Sequence, residues 1–561
     1  AAAVGVGVGM LGILATASIT DINSTTPVLA VMIGLAVGID YALFIVSRAR
    51  EYLADGVDPA EAAGRATATS GGAVVFAGTT VIVALCGLSV AGIRFLTTMG
   101  LASAAVVAVA VLVALTVVPA LIGILGKRLL PRRRRTADDG ADAERRPASL
   151  WVRAVTRRPW VTIGAVVVLL GLCAVPASGL RLALTDNGFA EKGSQQRETY
   201  DAVAAAYGEG YNSPIVVIAD VSQPSGSVAA VQGLAQELSQ LDGVEGVSLA
   251  TPNEDGTLAF VQIRPEKSQA DPATMELVRS IRSHADDYES RYGLTDLMVT
   301  GQTAVAIDVA EELNAALVPF GIVVVGLSLI LLMVVFRSVA VPLTATLGYL
   351  LSLGAGMGAV GAVFGRGWAA DLLAVSKVGA VISFLPVIVM GVLFGLAMDY
   401  QVFLVSRMRE EWNRRRGGAT PAARHEAAVA AVKAGFLGSA KVVAAAAVIM
   451  TGVFVAFVHT DNVYVKPIAL GLTVGIAADA FLVRMTLIPA IMVALGEKAW
   501  WLPAWLDRLL PVVDVEGEGL EQALEQEEAD AGQSVRPETD SVDDQAEDAE
   551  DAEDKEAAVV S

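Results

Sequence analysis

Ten stretches of this chain are long and almost free of charge, and that feature decides most of what it can become. They run over 2–19, 27–47, 70–90, 96–126, 160–180, 312–336, 339–364, 378–406, 436–458 and 464–495. A bilayer core about 30 Å thick is crossed by ~20 apolar residues in helical form, because only then is every backbone polar group satisfied within the segment. A soluble chain of 561 residues would break its apolar residues into shorter pieces around several cores. The mean hydropathy of +0.58 agrees. The chain reads as a polytopic α-helical membrane protein.

Basic residues orient the spans. Arg48 and Arg50 follow the second; Lys127, Arg128 and Arg132 to Arg135 follow the fourth. Arg153, Arg157 and Arg158 precede the fifth, Arg337 follows the sixth, and Arg407, Arg409 and Arg414 to Arg416 follow the eighth. Alternating the spans puts every cluster on one side, the cytoplasmic side of a cell inner membrane. These arginines serve as topology signals beside lipid head groups and give no basic patch for nucleic acid. The net charge of −19 is local: residues 514–556 hold 19 acids and two bases, a net of −17.

The resulting organisation is spans over 1–126, a cytoplasmic linker over 127–159, a span over 160–182, an extracytoplasmic domain over 183–311 and spans over 312–406. A cytoplasmic surface helix over 407–435, spans over 436–496 and an acidic, disordered tail over 497–561 complete it. The extracytoplasmic part alternates strand, helix, strand, strand, helix, strand. The strands fall near Ser213–Asp220, Gly246–Thr251, Leu258–Arg264 and Leu297–Gly301, the helices near Ser227–Leu241 and Pro272–Tyr292. That order suggests an α+β, ferredoxin-like unit with its helices on one face.

The membrane part repeats itself. GIDYALFIVSRARE at 38–51 aligns with AMDYQVFLVSRMRE at 397–410, an offset of 359. The helix at 70–90 aligns with 438–458, and Pro119-Ala120 with Pro489-Ala490. Both halves run in the same sense, so these are two parallel-repeated helix bundles. The second half has a span, a domain and five more spans, whereas the first starts at the second of its five. One outer domain and two spans are therefore expected ahead of Ala1.

These two segments, with the closing DAFLVRMTLIPAIMVALGEKAWWLP run at 479–503 and VTGQTAVAIDVAEEL at 299–313, resemble the MMPL family of the RND superfamily. The resemblance covers essentially all of 1–511. It implies a proton-coupled secondary transporter with an RND-like fold and a porter-like outer domain. It further implies a hydrophobic cargo and proton-relay pairs crossing between the halves, here Asp40 with Tyr400 and Tyr41 with Asp399.

The residues support that chemistry independently. An acid at mid-membrane costs about 2.5–3.5 kcal/mol on insertion scales, so such residues face a protein interior and mark ion pathways. An acid withdrawn from water favours its proton-bound form. Asp40 and Asp399 stand at equivalent repeat positions, each followed by tyrosine. One such acid could simply fix helix packing; two with the same neighbour make that coincidence harder to sustain. Ser47 and Ser406 lie seven residues on, two turns along the same face, where they extend the polar path or back-bond the helix end. Asp479 and Arg484 break the symmetry, since their counterparts are Val109 and Ala114. They are read as structural or coupling residues. At i and i+5 they stand about 140° apart on an α-helix, which predicts no easy pair, and Arg484 is expected to snorkel.

Cys86 and Cys173 lie inside apolar runs as packing residues, and His284, His425 and His459 have no metal-like partners at helical spacing. No phosphate-binding loop and no nucleophile–base pattern occurs, so neither cofactor, metal site nor enzyme activity is expected. The expected partners are protons, membrane lipids and a lipid, glycolipid, siderophore or secondary metabolite or drug. A proton-driven helper of protein export like SecDF, and a non-transporting scaffold or sterol-sensing receptor, are the alternatives. The crossed Asp-Tyr motifs and the closing run weigh against the first, the retained acids against the second. The acidic tail suits either a cytoplasmic partner or a solvated extension. The sequence leaves homo-oligomerisation and cargo identity open.

Overall fold

The computed structural model describes residues 1–129, 147–416 and 423–510. The arginines 132–135 and the acidic residues from 511 onward lie outside the described residues, as does most of the linker over 127–159.

Helices α1 (Ala2–Thr16), α2 (Thr25–Ala54), α3 (Pro59–Cys86) and α4 (Arg94–Leu125) form the first half. The tight α2–α3 connection follows from local chemistry. Pro59 starts α3 with the φ a helix needs, and the Asp58 side chain accepts from Ala60 N to cap it. Helices α5 (Pro147–Arg157) and α6 (Pro159–Ala174) then lead toward the sheet domain.

That domain contains β1 (Arg181–Ala183), α7 (Gln195–Tyr207), β2 (Ile215–Val221), α8 (Ser227–Leu238) and β3 (Val244–Pro252). It continues with β4 (Leu258–Pro265), α9 (Pro272–Ser283), α10 (Ala285–Tyr292) and β5 (Leu294–Thr300). The antiparallel order β3-β4-β2-β5 is that of a ferredoxin-like βαββαβ unit. Strict alternation buries Ile215, Val217 and Ala219 of β2 and Ala259, Val261 and Ile263 of β4 against Val231, Leu234 and Ile281 of the helices. The helix expected over 272–292 divides at His284, and α7 and β1 are additions to the expected strands and helices.

The chain returns through α11 (Gln302–Phe336), α12 (Ala340–Val360), α13 (Leu385–Arg416), α14 (Arg424–Val458), α15 (Val465–Ala477), α16 (Ile488–Leu495) and the short α17 (Ala504–Leu509). Among the described residues nine helices are long and apolar enough to cross a membrane. The segment expected over 2–19 forms a 15-residue helix, which at ~1.5 Å per residue falls short of the hydrocarbon thickness. The span expected from 378 begins instead at Leu385, because β6 (Ala380–Ile382) pairs in parallel with β1. Among the described residues no separate surface helix covers 407–435. Residues 407–416 extend α13, residues 424–435 open α14, and 417–422 lie outside the described residues. An i→i+4 ladder already running through the apolar segment continues into the Arg- and Glu-rich one, with Arg415 paired to Glu411 at 3.0 Å.

Helix α13 is the centre. Its most apolar window is 89% buried, against 17% for the helix Pro159–Gly179 on the rim. Such an all-round apolar helix belongs inside a bundle. It packs on α3 of the first half, and α14 packs on α2, so the seam between the halves runs along these four helices. Gly395 sets the spacing there: a Cβ at this position would meet Val81 Cα of α3 at 2.9 Å. Gly395→Leu should push the halves apart and destabilise the protein by roughly 1–3 kcal/mol, the usual range for overpacking. A thermal unfolding midpoint in detergent equal to wild type would show that the contact is not tight.

Candidate functional site

The seam holds the polar residues that the apolar helices cannot otherwise accommodate. Asp40 and Tyr41 come from α2, Asp399 and Tyr400 from α13, and all four are buried. Phe44 of α2 lies 4.4 Å from Phe403 and 6.3 Å from Tyr400, ring centre to ring centre, and closes one side. The Tyr41 hydroxyl donates to Asp399 Oδ2 across the seam at 3.2 Å. Thr80 Oγ1 of α3 stands 3.4 Å from Asp399 Oδ1 and 2.7 Å from the Ala77 carbonyl oxygen.

The reciprocal pair is not closed in the same way. Tyr400 lies beside Asp40, yet its hydroxyl donates to the Met450 sulfur of α14. Asp40 Oδ1 is buried without a hydrogen-bond partner among the described residues. The two crossed pairs are therefore unequal: Asp399 is bonded, and Asp40 is held with acceptor capacity to spare.

Asp479 and Arg484 overturn the expectation drawn from α-helical geometry. They form a buried ion pair, and Arg484, 1% exposed, does not snorkel. The segment Ala478–Leu487 is wound as a π-helix between α15 and α16. Its i→i+5 bonding stacks residues five apart, where an α-helix would splay them. Arg484 also donates to Gln401 Oε1 of α13 at 3.1 Å. It stands near enough for its charge to act on Asp399 and Tyr400.

Gln401, Thr80 and Met450 were not foreseen. A signal for Gln401 existed. It replaces Ala42 of the first half, so it breaks the repeat as Asp479 and Arg484 do, and these three symmetry-breaking residues meet in space. Thr80 and Met450 carry no such mark, because hydroxyls and thioethers are ordinary in apolar helices. Ser47 and Ser406 are half-buried and form no bond with the polar residues of the seam. Among the described residues no three His, Cys, Asp or Glu side chains come together as metal ligands.

A cavity of about 420 Å³ lies where the sheet domain meets the helices, lined by Phe95, Gln269, Gln302, Val305, Phe384 and Tyr464 among others. Its walls come from both halves and from the sheet domain.

The fold and the seam define a multi-pass membrane protein of two repeated helical halves with ionisable groups buried between them. The sequence pattern described as the MMPL family matches residues 1–162 and 191–511. The chain belongs to the MMPL family. It is 40% identical to the membrane protein YdfJ of Bacillus subtilis over 527 residues, 94% of this chain and 70% of that protein. It is 32% identical to the mycolic acid-containing lipids exporter MmpL11 of Mycolicibacterium smegmatis, across 86% of this chain and 50% of that protein. The chain thus spans about half the length of MmpL11. Among solved structures, the translocon-associated membrane protein SecDF of Thermus thermophilus aligns over 90% of this chain and 58% of its own, at 13% identity and a TM-score of 0.49.

Removing one member of the buried ion pair strands the other. Arg484→Met is expected to destabilise the protein by ~3–5 kcal/mol, while the double change Asp479→Leu with Arg484→Met recovers most of the loss. Unfolding midpoints of the three proteins in detergent check this. A double variant no more stable than the single one would mean that the pair does not act as a unit.

Proposed function

We propose that the chain carries the proton-relay seam and one outer domain of an exporter of hydrophobic molecules, driven by inward proton flow. The observation that carries this reading is the seam itself. Asp40 and Asp399 come from equivalent positions of two parallel repeats and face one another's tyrosines, with Tyr41 bonded to Asp399 across the seam and Asp40 Oδ1 without a hydrogen-bond partner among the described residues. Membership of the MMPL family supports it, as does the exporter name of the MmpL11 relative.

A proton arriving at either carboxyl cancels its charge. A charge-assisted bond such as Tyr41 to Asp399 is about twice as strong as a neutral one, so its loss of charge loosens the grip between α2 and α13. Losing the proton restores that grip. The two halves then have two preferred packings, and the proton biases the choice. The fixed charge of Arg484, tied to Asp479 and Gln401, makes the two acids inequivalent and gives the cycle an order.

Movement has a direct route to the sheet domain. Helix α11 is one continuous 35-residue element. Its first turns pack under the sheet, and Arg279 and Arg282 of α9 grip it through Glu311 at 2.6 Å and Asp308 at 2.5 Å. Its later turns, with Phe320 and Phe336, lie in the helical bundle. A shift at the seam is delivered to the walls of the cavity of about 420 Å³, a volume in the range of small-molecule sites. The sheet domain faces outward and the arginine-rich helix ends face the cytoplasm.

The test uses the full-length gene product. Reconstituted with a pH-sensitive dye, wild type should pass protons, and Asp399→Asn should lower the flux by at least about 100-fold, the scale on which a positioned proton carrier acts. Tyr41→Phe should lower it less, because the acid itself remains. Extractable lipids and metabolites inside and outside a deletion strain, complemented with wild type or Asp399→Asn, identify the cargo. An Asp399→Asn strain with the wild-type outer profile and undiminished proton flux sinks the reading.

A further inference from the structure

The end of the helical bundle remote from the sheet domain carries a strap. After α16 the chain passes through Trp501 and Pro503 into α17 and crosses the short turn that joins α11 to α12. Three consecutive residues of that turn hold it. Arg337 donates to the Asp507 carboxylate from Nε at 3.1 Å and from Nη2 at 2.7 Å. It also donates to the carbonyl oxygens of Asp507 at 2.6 Å and of Leu510 at 3.3 Å. Ser338, fully buried, donates from Oγ to the Ala499 carbonyl oxygen at 2.6 Å and accepts from Val341 N at 3.3 Å. Val339 N donates to the Trp501 carbonyl oxygen at 3.2 Å. Arg337 is moreover the residue that ends α11 in a left-handed conformation, at φ 44°. A residue other than glycine keeps that backbone where its surroundings hold it, and here the bonds to the strap do so.

The other face of the strap is apolar and uncovered. Trp501, Trp505 and Leu509 are 61%, 70% and 74% exposed. Trp505 and Leu509 lie one turn apart on α17, each two positions from Asp507 and therefore on the far side of the helix. On a soluble surface such a patch would invite association. Here its neighbours are faces of membrane helices. Ile330 of α11 and Leu343 of α12, on the two sides of the turn, are exposed as well. Tryptophans beside Arg508, level with the ends of spanning helices, have the composition of a bilayer interface.

We propose that the strap over 501–510 is a docking surface for the lipid interface and latches the far end of α11 to it. Trp501, Trp505 and Leu509 sit among head groups and upper acyl chains, while Asp507 turns inward to Arg337 and keeps the left-handed turn closed. The consequence is mechanical. Arg279 and Arg282 grip the other end of α11 through Glu311 and Asp308. The one helix that runs unbroken from bundle to sheet domain is thus held at both ends, and lipid sets the second hold. This inference does not rest on proton coupling.

The experiment places the full-length protein in phosphatidylcholine nanodiscs, with or without bromine on the acyl carbons just below the head group. The emission lost between wild type and the double variant Trp501→Phe with Trp505→Phe reports these two indoles. Brominated lipid should remove most of it, and iodide in the water little. Hydrogen exchange reads the latch. In Trp505→Ser with Leu509→Ser, and in Arg337→Gln, the Val339 and Val341 amides should exchange roughly tenfold faster, the scale of one lost charge-assisted contact. Exchange in the core of α13 should stay as in wild type. Indoles quenched by iodide and not by brominated lipid overturn the lipid partner, as do dimers in native mass spectra that bury the strap. Turn amides that exchange at the wild-type rate in both variants overturn the latch. An equal rise in the core of α13 overturns it too, because the strap then only adds to overall stability. Loss of proton flux with these readings intact refutes the relay and leaves the latch standing.

Discussion

Charge held out of water along one seam is the constraint on which the rest of this protein depends. Asp40, Asp399, Asp479 and Arg484 are all nearly inaccessible within apolar helices. Each must be met by a partner or a proton, and the partners lie on different helices, so the helices can sit only where those distances close. Tyr41 and Thr80 reach Asp399 from α2 and α3, while Arg484 reaches Gln401 of α13 from the π-helical segment after α15. The close approach that these short side chains require is allowed by Gly395, which lets α13 lie directly on the backbone of α3. Packing and polar satisfaction thus specify the same arrangement.

The repeat makes the seam nearly symmetric, and the departures from symmetry are informative. A symmetric pair of acids with identical partners would have no preferred order of protonation. Here Asp399 holds a bond across the seam, while Asp40, beside Tyr400, keeps one oxygen without a hydrogen-bond partner among the described residues. The charge that distinguishes them comes from Arg484, locked by Asp479 and Gln401, three residues absent from the first half. A buried pair of this kind adds little net stability compared with apolar residues of similar size.

Two elements join the seam to the sheet domain. Helix α11 spans both without a break, and the parallel β1–β6 pairing fastens the entry of the domain to the segment just before α13. The larger cavity at this junction has walls from the domain and from both halves.

Much of this was legible in the sequence. The apolar runs located nine long helices among the described residues, the alternation in Ile215–Val221 and Leu258–Pro265 located the central strands, and the repeat located Asp40, Tyr41, Asp399 and Tyr400. These are consequences of periodicity and of the cost of burying backbone and charge, which act within a segment or between equivalent ones. What the sequence could not decide depends on contacts between distant segments or on departures from ideal winding. The Asp479–Arg484 pair forms because the helix there is wound with a longer repeat, so a rule based on 3.6 residues per turn separated residues that in fact stack. The strand at 380–382 exists only because residues 181–183 are there to pair with it. Residues 407–416 and 424–435 continue two membrane helices since each helix, once started, extends more easily than it restarts. The sequence by itself determined which residues had to be hidden from lipid and water; the tertiary structure decided which of them would meet, because only three-dimensional packing sets the distances over which a hydroxyl, a carboxylate and a guanidinium can bond.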